Sequence, residues 1–250
     1  MIGFSQIGAL ILTIVAILAI SLFRIGLKKP SVLKFRPIQS INQLKRSIGL
    51  SVEQGSRAHI SLGNSDPTSP TFAAGIAALS TLEQIARASS LSDRPPMATS
   101  GNGTLAILSQ DTIHSIHQSN NSLELYDFHR GLLTGPTPMS YIAGTLPIIK
   151  ENKFSTNVFV GNFGSEAALM VDTTENQAGF TIAGSDSLTG QAAFFATSQH
   201  PLIGEELFAL PAYLSANPVD KASLPAQDLL RWIVIIAILV GSILKFIGIL

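Results

Sequence analysis

The chain contains no cysteine. That absence excludes disulfides, thiol nucleophiles, iron–sulfur clusters and cysteine-ligated zinc. Charge is scarce as well: 13% of the 250 residues are Asp, Glu, Lys or Arg, about half the share a soluble domain usually carries, which points to a lipid-embedded portion. No Gly-Lys pair occurs, so the Walker phosphate-binding pattern is missing, and no Gly-x-Ser-x-Gly elbow marks a hydrolase nucleophile.

The charges that are present are segregated. Residues 1–23 have none. Arg24, Lys28, Lys29, Lys34, Arg36, Lys45 and Arg46 follow with no acid among them. Residues 47–228 then hold all sixteen acids against seven bases, a formal balance of −9. The order is an apolar start, a basic collar over 24–46, an acidic body and an apolar end.

Both ends have the length and composition of membrane spans. Residues 4–23 are nearly uninterrupted Ile, Leu, Ala and Val, and twenty residues of helix extend roughly 30 Å, the thickness of a bilayer's hydrocarbon core. The second run, 232–250, lies within a span expected over 229–250. Arg231 and Trp232 suit one interface, and Lys245 is close enough to the other end to snorkel. Seven bases after the first span hold that flank in the cytoplasm. The body is then cytosolic in a two-pass protein of the cell membrane, with both termini outside. A cleaved leader is the competing reading, because Ala19-Ile20-Ser21 resembles a cleavage site; the lack of a base before the apolar run favours retention.

The body, 47–228, reads as a parallel α/β domain of Rossmann-like type. Strands are expected at Ala58–Leu62, Pro96–Thr99, Asn157–Val160 and Phe180–Ala183, each followed by a Gly/Asn/Ser cluster. Helices are expected over Phe72–Ala88, Thr104–Gln118, Ser140–Asn152 with a kink or shortening at Pro147, Glu166–Thr173 capped by Ser165, and from about Pro201. Ala192–Thr197 fits no element clearly. Strands alternating with helices imply a mainly parallel sheet covered on both faces.

Several segments together resemble an uncharacterised family of membrane-anchored prokaryotic proteins, the domain of unknown function numbered 6754. The matching pieces are His59–Gly63, Phe159–Glu166, Phe180–Gly184, and a stretch from Phe194 to Ser215 that is most specific over 200–215. The resemblance implies membrane spans at both ends around an α/β domain, and no activity.

In an open parallel sheet the loops leaving the strands' carboxyl ends gather on one edge, where ligands bind. The candidate ligand-binding residues are therefore Gly63, Asn64, Gly101, Asn102, Gly103, Gly161, Asn162, Gly184 and Ser185, whose backbone N–H groups could face an anion at a helix N-terminus. The bland alternative is that Gly and Asn simply make tight turns and caps there, since no basic side chain lies in those loops. Gly101-x-Gly103-x-x-Ala106 fits the relaxed dinucleotide fingerprint but does not follow the first strand. His114 and His117 share a helix face without an evident third ligand, and adjacent Glu205 and Glu206 point in different directions on a helix.

No catalytic residue, metal or cofactor is assigned, and no nucleic acid is expected as a partner. The expected partners are the bilayer and further copies of the chain, with Arg24, Lys28, Lys29, Lys34, Arg36, Arg231, Trp232 and Lys245 setting topology. The first expectation is a structural or assembly module that self-associates. The alternative is a tethered binding module or enzyme for a nucleotide-like or phosphorylated ligand at the Gly-Asn loops.

Overall fold

The computed structural model describes residues 13–22, 37–90, 92, 94–215 and 218–246. Chain order begins with helices α1 (Thr13–Leu22) and α2 (Gln39–Glu53), strand β1 (Ala58–Gly63), α3 (Phe72–Ala88), β2 (Met97–Ser100) and α4 (Gly103–Ser119). It continues with β3 (Gly131–Leu133), α5 (Pro138–Asn152), β4 (Thr156–Asn162), α6 (Ala168–Glu175), β5 (Phe180–Ser185) and α7 (Leu188–Thr197). The last elements are β6 (Pro201–Leu202), α8 (Glu206–Leu214) and α9 (Pro218–Phe246). Two compact units divide them: Pro37–Leu214 forms one, and Met1–Arg36 with Ser215–Leu250 the other.

The Pro37–Leu214 unit is an α/β layer structure around a six-stranded sheet of order β3-β2-β1-β4-β5-β6, every neighbouring pair parallel. β1 and β2 are buried along their whole length, as expected for strands with helices on both faces. Alternate side chains serve different layers. Ile60, Leu62, Val158, Val160 and Ile182 enter one core with Ile41 and Leu44 of α2, Leu82 and Ile85 of α3, and Leu207 and Leu210 of α8. Phe159 and Ala183 enter the other, with Tyr141, Ile142 and Ile149 of α5, Met170 and Val171 of α6, and Phe194 of α7. Each fully buried Leu, Ile or Phe contributes about 1.5–3 kcal/mol of transfer free energy. Lys45 and Arg46 of the basic collar lie on α2.

Several local expectations are corrected. α5 runs unbroken through Pro147. The carbonyl that Pro147 leaves without a helical partner belongs to Ala143, which is exposed to solvent, so the helix loses one bond and does not stop there. No helix starts near Pro201; that residue opens the short edge strand β6, where the N–H it lacks is not needed, and Gly204 at φ +61° turns the chain before α8 begins at Glu206. Ser165 caps nothing: Ser165–Ala167 is a 3-10 turn ahead of α6. The unassigned stretch 192–197 is the end of α7.

The other unit is described as α1 and α9. Within α9, Lys221–Leu239 is 19 residues long and apolar enough to cross a membrane, and only 11% of it is buried. It is the one such helix among the described residues. α1 covers ten residues of the expected first span, and residues 4–12 lie outside the described ones, as do Arg24, Lys28, Lys29, Lys34 and Arg36. Arg231 pairs with Asp228, Trp232 is 63% exposed, and Lys245 sits in the last turn of α9.

Candidate functional site

The strand order places β1 beside β4, and the chain winds outward from that pair in both directions. Such a switch point opens a crevice at the strands' carboxyl ends. Here its floor is backbone. Gly63 has φ +72° and Gly161 φ +152°; a Cβ on the first would run into the Asn162 backbone, and a Cβ on the second into the Leu62 carbonyl. Only glycine fits either position. The Asn64 N–H donates to the Asn162 carbonyl at 2.9 Å, and the Gly101 N–H to the Gly63 carbonyl at 2.9 Å, so pairing continues past the strand ends.

Above that floor lies a cavity of about 290 Å³ lined by Asn64, Tyr141, Ile142, Asn162, Glu166 and Ser187, among others. Asn64 Nδ2 donates to the Pro136 carbonyl at 3.1 Å and ties down the loop before α5. That loop ends in Thr137, which caps α5 in a reciprocal box with Ser140. Asn162 Nδ2 donates to Asp186 Oδ1 at 2.7 Å. Burial raises the Asp186 pKa from its ordinary value, and the Asn162 hydrogen bond opposes it. Tyr141 is buried, with its hydroxyl bonded to Ser61 and donating to the Thr99 carbonyl at 3.2 Å.

The expected site residues therefore divide. Gly63, Asn64, Gly161 and Asn162 meet at the crevice. The others hold loops in place. Gly101 lies against Asn64, Asn102 caps α4 by accepting from the Thr104 N–H at 2.8 Å, and Gly103 opens that helix. Gly184 faces Leu202, and Ser185 Oγ accepts from the Phe163 N–H at 3.1 Å while donating to the Phe163 carbonyl at 3.0 Å. The fingerprint-like Gly101–Ala106 stretch follows β2, one strand over from the β1/β4 switch point. Tyr141, Ser187 and Asp186 were not singled out from the sequence; Asp186, directly after the Gly184-Ser185 cluster, was the one with a local signal.

The electrostatics of this edge are one-sided. Its loops carry Asp66, Glu166, Asp186 and Glu205, with Glu206 opening α8, and no lysine or arginine. The bases of the α/β unit stand at the other edge or on α2: Arg57, Arg94 and Arg130 ahead of β1, β2 and β3, and Arg87, Lys150 and Lys153 at helix ends. With Glu166 in its lining and further acids in the loops around it, the crevice disfavours phosphate and suits a ligand that donates hydrogen bonds, such as a hydroxylated or amine-bearing molecule.

Elsewhere, His114 lies edge-on to the Tyr126 ring at 4.9 Å, and His117 Nδ1 is 3.0 Å from Ser122 Oγ. No group of three metal-ligating side chains occurs among the described residues. His59 is fully buried in β1, with Nε2 3.0 Å from Thr99 Oγ1 and its ring stacked on Phe154 at 5.0 Å. Burial pushes its pKa down to about 3, against a smaller upward effect of Asn157.

The model of one family, described as "Domain of unknown function (DUF6754)", matches residues 1–250. No curated protein matches the chain, and no solved structure does.

Proposed function

The chain belongs to the DUF6754 family, a domain of unknown function, and from that premise and its own residues we propose that it is a two-pass membrane protein whose cytosolic α/β domain is an assembly module that associates with further copies of itself. Anchoring is supported by α9: residues 232–239 are apolar and exposed on every face of the helix, and a helix apolar all round belongs in lipid or a large core. The orientation rests on the basic collar after the first apolar run.

The observation that carries self-association is the outer face of α7. Its ten residues include no charged side chain. Leu188 is 82% exposed and Phe195 70%; seven residues apart, they share one stripe of the helix with exposed Ala192. Contiguous apolar surface of this kind marks an interaction site, and leucine and phenylalanine in water stabilise nothing in a monomer. Native mass measurement of the full chain in mild detergent tests the proposal. Wild type gives particles of two or more copies, and Phe195→Asp gives single chains. A wild-type particle holding one copy contradicts it.

A second reading is favoured by the cavity at the switch point: a tethered module that binds a small hydroxylated or amine-bearing ligand between Asn64 and Asn162. The acidic edge argues against the phosphorylated class there.

A further inference from the structure

The opposite edge of the sheet carries a convergence of guanidinium groups that neither reading uses. Arg57 immediately precedes β1, Arg94 stands three residues before β2, and Arg130 immediately precedes β3. These three strands are adjacent and parallel, with His59 level with Met97 and Ala98 level with Gly131. Their amino ends therefore deliver the three arginines side by side. Burial lowers the Arg57 pKa, and the charges of Arg130 and Arg94 lower it further, with Asp127 opposing.

Among the described residues, counter-charge is in short supply. Arg130 Nε lies 3.3 Å from Asp127 Oδ2, and the same carboxylate already accepts the His129 N–H at 3.0 Å. Among the described residues no carboxylate forms an ion pair with Arg57 or Arg94, and Arg57 Nε is buried with no hydrogen-bond partner. A buried donor left unmade costs about 1–3 kcal/mol, more when charged. Clustered guanidiniums with Asp127 as their one ion-pairing acid among the described residues are the arrangement that a multiply charged oxyanion completes, because each guanidinium can offer two parallel N–H donors.

We propose that Arg57, Arg94 and Arg130 form a binding site for a phosphate-class oxyanion at the amino-terminal edge of the sheet. This goes beyond the self-association reading and stands independently of it. The site lies across the sheet from the acidic crevice, so the two edges select opposite ligand chemistries. The oxyanion could be a free phosphate compound or the phosphomonoester headgroup of an anionic lipid.

The test uses the full chain in phosphatidylcholine nanodiscs, with inorganic pyrophosphate as the probe. Pyrophosphate raises the thermal midpoint saturably in wild type. Arg94→Gln, at an exposed position, weakens this binding about ten- to a hundredfold, as does Arg130→Gln, while Lys150→Gln, another exposed base near this edge, leaves it unchanged. Stabilisation by discs doped with phosphatidic acid, without any response to pyrophosphate, assigns the headgroup as the source and keeps the site if Arg94→Gln abolishes it. The proposal is overturned if neither probe acts, if Lys150→Gln costs as much as Arg94→Gln, or if Arg94→Gln changes the number of copies per particle and leaves pyrophosphate binding intact.

Discussion

Gly63 and Asn162 meet backbone to backbone at the seam of β1 and β4: a Cβ on Gly63 would lie 2.7 Å from the Asn162 amide nitrogen. Left-handed φ and close approach coincide at that one residue. Gly63→Ala is therefore expected to lower stability by more than about 2 kcal/mol. Gly103, which opens α4 with nothing within 4 Å of its missing Cβ, should tolerate alanine or gain a few tenths of a kcal/mol. Denaturant midpoints of the two variants check this, and equal losses would remove the seam's special status.

His59 makes stability depend on pH. Its folded pKa is held near 3 by burial, below an unfolded value of about 6.5. Above pH ~6.5 both states are neutral at this ring and nothing is lost. As pH falls below that, the unfolded chain takes up a proton that the fold refuses, and stability drops by up to about 1.4 kcal/mol per pH unit until roughly pH 3. His59→Gln should flatten this slope by about one proton in unfolding measured from pH ~7 to ~4. An unchanged slope would mean that the ring is protonated in the fold.

Tyr141 reaches from α5 across the sheet face to Ser61 and Thr99. Tyr141→Phe removes one hydroxyl and strands the Ser61 hydroxyl in the core, at an expected cost of about 1–3 kcal/mol. Thermal unfolding of the variant measures it, and no change in midpoint would show that these bonds are not formed in solution.

The crevice makes a spectroscopic prediction. Asn162→Ala takes away the hydrogen bond that keeps Asp186 from rising further, so the Asp186 carboxyl pKa should climb above its wild-type value in a carboxyl-carbon NMR titration. A fall, or no change, would show that Asn162 does not hold that carboxylate.

Legibility in the sequence tracked length and regularity. β1 and α3 stood out because Ala58, Ile60 and Leu62 alternate with His59 and Ser61 before a Gly-Asn turn and Phe72–Ala88 repeats its apolar residues at helical spacing. β3 escaped because Gly131–Leu133 is three residues long, and β6 because Pro201–Leu202 is two; each is held by register with a neighbour and not by its own pattern. α7 has almost no amphipathic contrast, since Leu188 and Phe195 face outward while its buried residues are Gly190 and Phe194, so the periodicity that identifies a surface helix is missing for the same reason that the helix suggests an interface. At the site, the clustering of Gly63, Asn64, Gly161 and Asn162 followed from the rule for parallel sheets. That Asn102 and Ser185 are spent on local hydrogen bonds did not, because a cap and a ligand-binding residue share the same composition. The arginine cluster was invisible along the chain: its members are more than thirty residues apart and meet only through the strand order.

The absence of native cysteine makes one measurement direct. A single cysteine placed at Ala192, midway along the exposed stripe of α7, is oxidised in isolated membranes that hold the full chain. Isologous pairing through α7 brings each introduced thiol near its own copy. The expected result is a membrane-bound, disulfide-linked dimer that Phe195→Asp abolishes. A chain that stays wholly monomeric on oxidation, or that washes off the membrane at alkaline pH, would contradict a lipid-anchored module assembling through this helix.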